Sequence, residues 1–207
     1  NKIDLKKISV GASENIIRAA SLAEGESEIG NIAIEPEVID LIKCLKSMGS
    51  EIEFISDRKI LIQGKDNLKG TDHKVIPDRI EVGTYMIAGA LIGKNLNIQN
   101  IDQDHIQNIL RVFQELGIEF KLDKNSIFLS KSNIEVGTNL QTEEYPGFPT
   151  DLQAQMMVLL SRSKKQSSII ENIFENRYMH VPELNRMGAQ ISIEGNRSTI
   201  LPSDEFI

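Results

Sequence analysis

The stretch Leu45–Phe54, LKSMGSEIEF, closes a run of helical apolar spacing on a glycine and opens at once into strand-like alternation. The same hinge returns as FQELGIEFKL at Phe113–Leu122 and as LNRMGAQISI at Leu184–Ile193. Its glycines stand at 49, 117 and 188, so they are 68 and 71 residues apart. A second landmark keeps step with the first: an Asn followed by Ile at 31–32, 100–101 and 172–173. Two landmarks in phase three times mark an internal repeat.

Working outward from the hinge, each copy reads in one order. An apolar helix comes first, as in ENIIRAASLAEG, GTYMIAGALIGK and DLQAQMMVLLSR. A short strand follows (SEIGNI, LNIQNI, SSIIENI), then an amphipathic helix. In the second copy Ile106, Ile109, Leu110 and Phe113 fall at i, i+3, i+4 and i+7, one apolar stripe. The glycine supplies the left-handed residue that ends this helix. Two strands finish the unit, such as SEIEFIS with KILIQG. The first helix of a copy is apolar nearly all round and carries small residues such as Ala19, Ala20, Ala23, Ala88 and Ala90. Such a helix is expected inside, with sheets around it and the second, half-polar helix outside. The fold class is therefore α/β, and a globular pseudo-symmetric domain fits this repeat length better than a solenoid does.

Bulk composition narrows the function classes. At 207 residues, with 40% hydrophobic and 26% charged residues, the chain is ordinary for a globular protein of one large or two small domains. No run of eighteen apolar residues suggests a membrane span, and the first residues, NKIDLKKISV, lack a secretory apolar core, which favours the cytoplasm. With no initiator Met, the chain is expected to be a piece of something longer. A single cysteine, Cys44, and three scattered histidines exclude a disulfide framework and give no metal-ligand spacing. Neither a metal nor another cofactor is expected. Net charge is −7 with no basic tract, which argues against nucleic acid; an anionic ligand would need local groups to hold it.

One loop stands out chemically. EEYPGFPTDLQAQ at Glu143–Gln155 places two prolines, a glycine and two aromatics just before Asp151. Thr150-Asp-Leu-Gln153 fits a helix-capping box, so Asp151 reads either as a first-turn acid or as a working carboxylate.

Together ISVGASENI, EPEVIDLIKCLKSMGSEI, VIPDRIEVGTYMIAGA, GFPTDLQAQ and IFENRYMHVPELNRMGA resemble the UDP-N-acetylglucosamine 1-carboxyvinyltransferases. The likeness is collinear over essentially the whole chain. It implies transfer of the enolpyruvyl group of phosphoenolpyruvate to the sugar 3-hydroxyl of UDP-N-acetylglucosamine, the opening step of peptidoglycan synthesis. It also implies inside-out, barrel-like α/β domains, each of three β-α-β-α-β-β units with buried helices. By the same likeness residues 1–76 are the third unit of a first domain and residues 77–207 two units of a second. Family segments with a Lys-Asn pair, a reactive-Cys loop and later arginines have no counterpart here. The missing segments of the same enzyme are thus expected partners, and the piece alone is expected to be inactive. Two alternatives stay open: the shikimate-phosphate enolpyruvyl transferase and a non-catalytic scaffold.

The resemblance assigns Asp151 as the base for the 3-hydroxyl. A helix N-terminus and a dry cleft act on a carboxylate's basicity in opposite senses, so positioning has to matter more than base strength. Lys7, Ser9, Val10 and Gly11, at a glycine-bearing helix entry that suits anions, are implied in substrate binding. So are Glu35, beside an N1 proline, and the pair Asp78 and Arg79. Ile173 is implied through its backbone. Arg177 reads either as a cation for the ligand or as the partner of a nearby acid such as Glu175.

Overall fold

A computed structural model describes residues 1–203. It forms two compact units, Asn1–Ile76 and the residues from Pro77 onward. Of the expected second segment, residues 204–207 lie outside the described residues.

The first unit is one complete repeat. Strand β1 (Lys2–Asp4) leads into helix α1 (Val10–Ser21), strand β2 (Glu26–Gly30), helix α2 (Pro36–Ser47), and strands β3 (Glu51–Ser56) and β4 (Lys59–Gln63). The sheet order is β1-β2-β4-β3, with β1 parallel to β2 and the remaining pairs antiparallel. Ile17, Ile29, Val38, Ile42, Ile52, Ile60 and Ile62 close a core between this sheet and the helices.

The second unit carries two more copies. Helix α3 (Arg79–Ile92), strand β5 (Leu96–Gln99), helix α4 (Gln107–Glu115) and strands β6 (Phe120–Asp123) and β7 (Ser126–Leu129) make one, with sheet order β5-β7-β6. Strand β8 (Asn139–Gln141), helix α5 (Gln153–Ser161), strand β9 (Ser167–Ile170), helix α6 (Val181–Arg186) and strands β10 (Gln190–Glu194) and β11 (Arg197–Leu201) make the other. Its sheet, β10-β11-β9-β8, repeats the topology of the first unit, again with a parallel leading pair. The middle copy has no leading strand among the described residues.

The repeated hinge has the predicted geometry. Gly49, Gly117 and Gly188 all take positive φ, at 102°, 68° and 106°, directly after their helices. A left-handed residue there lets the last carbonyls be capped, and glycine adopts it without Cβ strain.

Helix burial is deepest in the second unit. Val82, Gly83, Met86, Ile87, Gly89 and Ala90 on α3, and Met156, Met157, Leu159 and Leu160 on α5, are buried. Helix α1 buries Ser13, Ile17, Ala20 and Ser21 but leaves Asn15, Arg18 and Ala19 exposed. With one sheet and one partner helix in its unit, α1 has apolar surface to cover it on one side alone. No helix among the described residues is long and apolar enough to cross a membrane.

Candidate functional site

The proline-rich loop is held at both ends. Thr142 forms a bridge to Phe148, the Glu143 N–H donates to the Phe148 carbonyl at 3.0 Å, and the Gly147 N–H donates to the Glu144 carbonyl at 2.8 Å. The Asn108 amide of α4 donates to the Gly147 carbonyl. Phe148 is 1% exposed and sits in the main core of the unit. The Tyr145–Pro146 peptide is cis. Pro149 then caps a single 3-10 turn, Thr150–Leu152, which runs straight into α5.

Asp151 stands in the middle of that turn with its side chain 54% exposed. Arg177 reaches it: the guanidinium Nη2 lies 2.6 Å from Asp151 Oδ1. The same guanidinium stacks over the Phe174 ring at 5.0 Å. Asn176, between Glu175 and Arg177, takes a left-handed conformation (φ 58°).

The capping box is not formed. Neither the 3-10 turn nor α5 has a side-chain cap, and the Thr150 and Gln153 side chains turn inward instead. Both donate to Oε2 of Glu171, each at 2.9 Å. Oε1 of the same carboxylate accepts from Thr142 Oγ1 at 2.9 Å and from the N–H groups of Ile173 at 2.9 Å and Phe174 at 3.1 Å. Glu171 is 3% exposed and joins the segments that carry Asp151, Ile173 and Arg177. Sequence reasoning passed it over. Its available signal was an acid interrupting the apolar end of SSIIENI, where the other copies place Gly30 and Gln99.

Asp78 and Arg79 belong to the start of α3. Asp78 is its N-cap, with Oδ1 accepting from the N–H groups of Ile80 at 2.8 Å and Glu81 at 3.2 Å. Arg79 is 7% exposed, and its guanidinium lies 5.6 Å from the centroid of Tyr145 in the proline-rich loop, a cation–π contact. The acid thus has a capping role, while the arginine braces the loop before Asp151.

In the first unit, Lys7, Ser9, Val10 and Gly11 gather at the start of α1. Ser9 caps the helix, its hydroxyl accepting from the Ala12 N–H at 3.3 Å, and no acid occupies the first turn. Lys7, Ser9 and Gly11 are exposed. The entry therefore offers unneutralised N–H dipoles beside a lysine, a fair setting for an anion. Ser13 ties this end to the segment before α2, since its Oγ accepts from the Ala33 N–H at 2.8 Å. Glu35, two residues on, is the buried N-cap position of α2 and makes no side-chain cap bond.

Next to Arg177, burial pushes the His180 imidazole below its ordinary value of 6.5, and the Arg177 charge adds to the effect. The neutral form is thus favoured by folding, so its stabilisation is complete above pH 6.5 and is lost as pH falls into the window beneath it. Melting temperature should decline on acidification through that window, and His180→Asn should flatten the decline. An unchanged slope in thermal melts of the variant contradicts the assignment.

Among curated relatives, the Pelagibacter ubique UDP-N-acetylglucosamine 1-carboxyvinyltransferase is 51% identical over 204 residues, which is 99% of this chain and 49% of that protein. The enzyme of the same name from Rickettsia bellii is 47% identical over 194 residues, 94% of this chain and 46% of its own. The chain spans about half the length of the curated relatives it matches. Among solved structures, the enolpyruvyl transferase NikO from Streptomyces tendae superposes with a TM-score of 0.86 at 20% identity, covering 96% of this chain and 50% of that one. That likeness speaks for the fold, and it agrees with the helix-and-sheet repeats seen here. Since the model of one family matches residues 1–205, the chain belongs to the EPSP synthase (3-phosphoshikimate 1-carboxyvinyltransferase) family.

Proposed function

We propose that this chain is part of an enzyme that moves the enolpyruvyl group of phosphoenolpyruvate onto the 3-hydroxyl of UDP-N-acetylglucosamine, releasing phosphate, in the cytoplasm. The observation that carries the reading is the collinear 44–51% identity to carboxyvinyltransferases of that name over nearly the whole chain. Within it, Asp151 is the base that takes the hydroxyl proton; the turn and Arg177 hold it while more than half of its side-chain surface stays open. Arg177 answers the anionic charge of the reactants and fixes the carboxylate. The N–H of Ile173 is engaged by Glu171, so its carbonyl is the backbone group that meets the acetamido N–H. Lys7, Ser9, Val10 and Gly11 hold the nucleotide's diphosphate at the α1 entry. Glu35, Asp78 and Arg79 complete the substrate contacts. Residues 1–76 are then one repeat of a first domain and 77–207 two repeats of a second.

The full-length protein carrying this chain should release phosphate from phosphoenolpyruvate only when UDP-N-acetylglucosamine is present, with the enolpyruvyl ether visible by mass spectrometry. The 207-residue piece alone should not turn over. Release with shikimate 3-phosphate in place of the nucleotide sugar would move the protein to that branch of the family. No release with either acceptor would make it a binding or scaffold protein.

A further inference from the structure

We infer that Glu171 is a positioning residue for this reaction, a buried carboxylate that staples the turn presenting Asp151 to the segment presenting Ile173 and Arg177. The inference rests on the reading of Asp151 as the base.

Its first support is the break in the repeat. The position before the landmark asparagine is Gly30 in the first copy, Gln99 in the second and Glu171 in the third. Asn31 and Asn100 both take left-handed backbone, at φ 57° and 58°, as two copies of one turn should. Asn172 does not; the left-handed asparagine in that copy is Asn176. A device that the fold forms without an acid twice has been rebuilt around one in the third copy.

The second support is the distribution of bonds. A carboxylate at 3% exposure is expensive to desolvate, and all five of its partners are neutral donors. They divide by oxygen. Oε2 takes Thr150 and Gln153, the residues that flank the Asp151–Leu152 pair. Oε1 takes Thr142 and the two N–H groups just before Arg177's loop. Apolar packing alone would hold these segments together without fixing their rotation; directional bonds from one rigid group fix both. Gln153 strengthens the point. It is 1% exposed, and its Oε1 meets no donor among the described residues, so Glu171 alone orients the amide.

The test is a double-mutant cycle in the full-length protein, comparing wild type, Glu171→Gln, Asp151→Asn and the double variant for kcat and melting temperature. Gln keeps the shape and one acceptor oxygen, and a flip of the Gln153 amide can meet its new NH2 group, so the fold should survive. Glu171→Gln alone should lower kcat by roughly 10- to 100-fold, the scale expected for a sub-ångström to 1 Å misplacement. In the Asp151→Asn background the same change should lower it by less than about 3-fold, because a displaced turn no longer carries a base. Equal losses in both backgrounds, or no loss in the first, overturn the inference while leaving the proposed function standing. Absence of wild-type turnover overturns both. Should Glu171→Gln fail to fold, Thr150→Val, which removes one Oε2 donor at nearly constant volume, goes through the same cycle with the same expected and overturning results.

Discussion

Asp151→Asn in the full-length protein should lower kcat by about 10²–10⁴-fold, the usual contribution of a positioned general base, with little change in melting temperature. The separation of the two readouts follows from where the residue sits. Its partner bond to Arg177 is short, but the two side chains are 54% and 34% exposed, so water and salt screen the pair. Exposed pairs of this kind contribute about 0–1 kcal/mol. Asn also keeps an oxygen for the guanidinium. A residue whose work is to cap a helix gives the opposite pattern, a clear stability loss with turnover intact. Capping is already disfavoured by geometry, since the turn has no side-chain cap and its Thr and Gln face Glu171. Full turnover with normal UDP-sugar affinity in Asp151→Asn would remove the residue from the chemistry.

What the sequence revealed and what it hid divide along the range of the interactions. The glycine hinges are local: a helix's last turn, a left-handed residue and a strand lie within ten positions, and all three copies adopt them. The α/β repeat was legible for the same reason. The loop around Asp151 was half legible. Prolines and glycine announced stiffness, and the structure adds the anchors: Asn108 from α4, Arg79 from the start of α3 and Phe148 in the core. Glu171 was passed over because three of its five donors come from distant positions 142, 150 and 153; the acid that breaks the repeat is a local mark, but it does not disclose that convergence. Thr150 and Gln153 misled for a related reason. Their types and spacing satisfy a capping box, yet a buried carboxylate competes for the same side chains and wins, because leaving it unbonded would cost more than an uncapped turn.

Phe148→Ala should be the most destabilising single change near the site, and it separates anchoring from packing. The ring is 1% exposed, so truncation removes buried apolar surface and leaves a cavity, a loss of about 3–5 kcal/mol. For a unit of this size that means a fall in melting temperature of roughly 10 °C or more. Leu160→Ala provides the control. Leu160 is fully buried on the same helix that Asp151 introduces, two turns further along, and its truncation should cost about 2–5 kcal/mol. Assayed well below both melting temperatures, the two variants should part company. Phe148 sits three residues before Asp151 and closes the Thr142–Phe148 bridge, so its loss slackens the turn that aims the carboxylate. Leu160 lies nine positions after Asp151 and outside the loop, and its loss should leave the turn's bonds to Glu171 intact. Phe148→Ala should therefore lower kcat at least about 10-fold more than Leu160→Ala, since placement errors near 1 Å are worth up to about 100-fold. Equal kcat values in the two variants would mean that the loop's stiffness serves folding alone, and that Glu171 suffices to hold Asp151 without it.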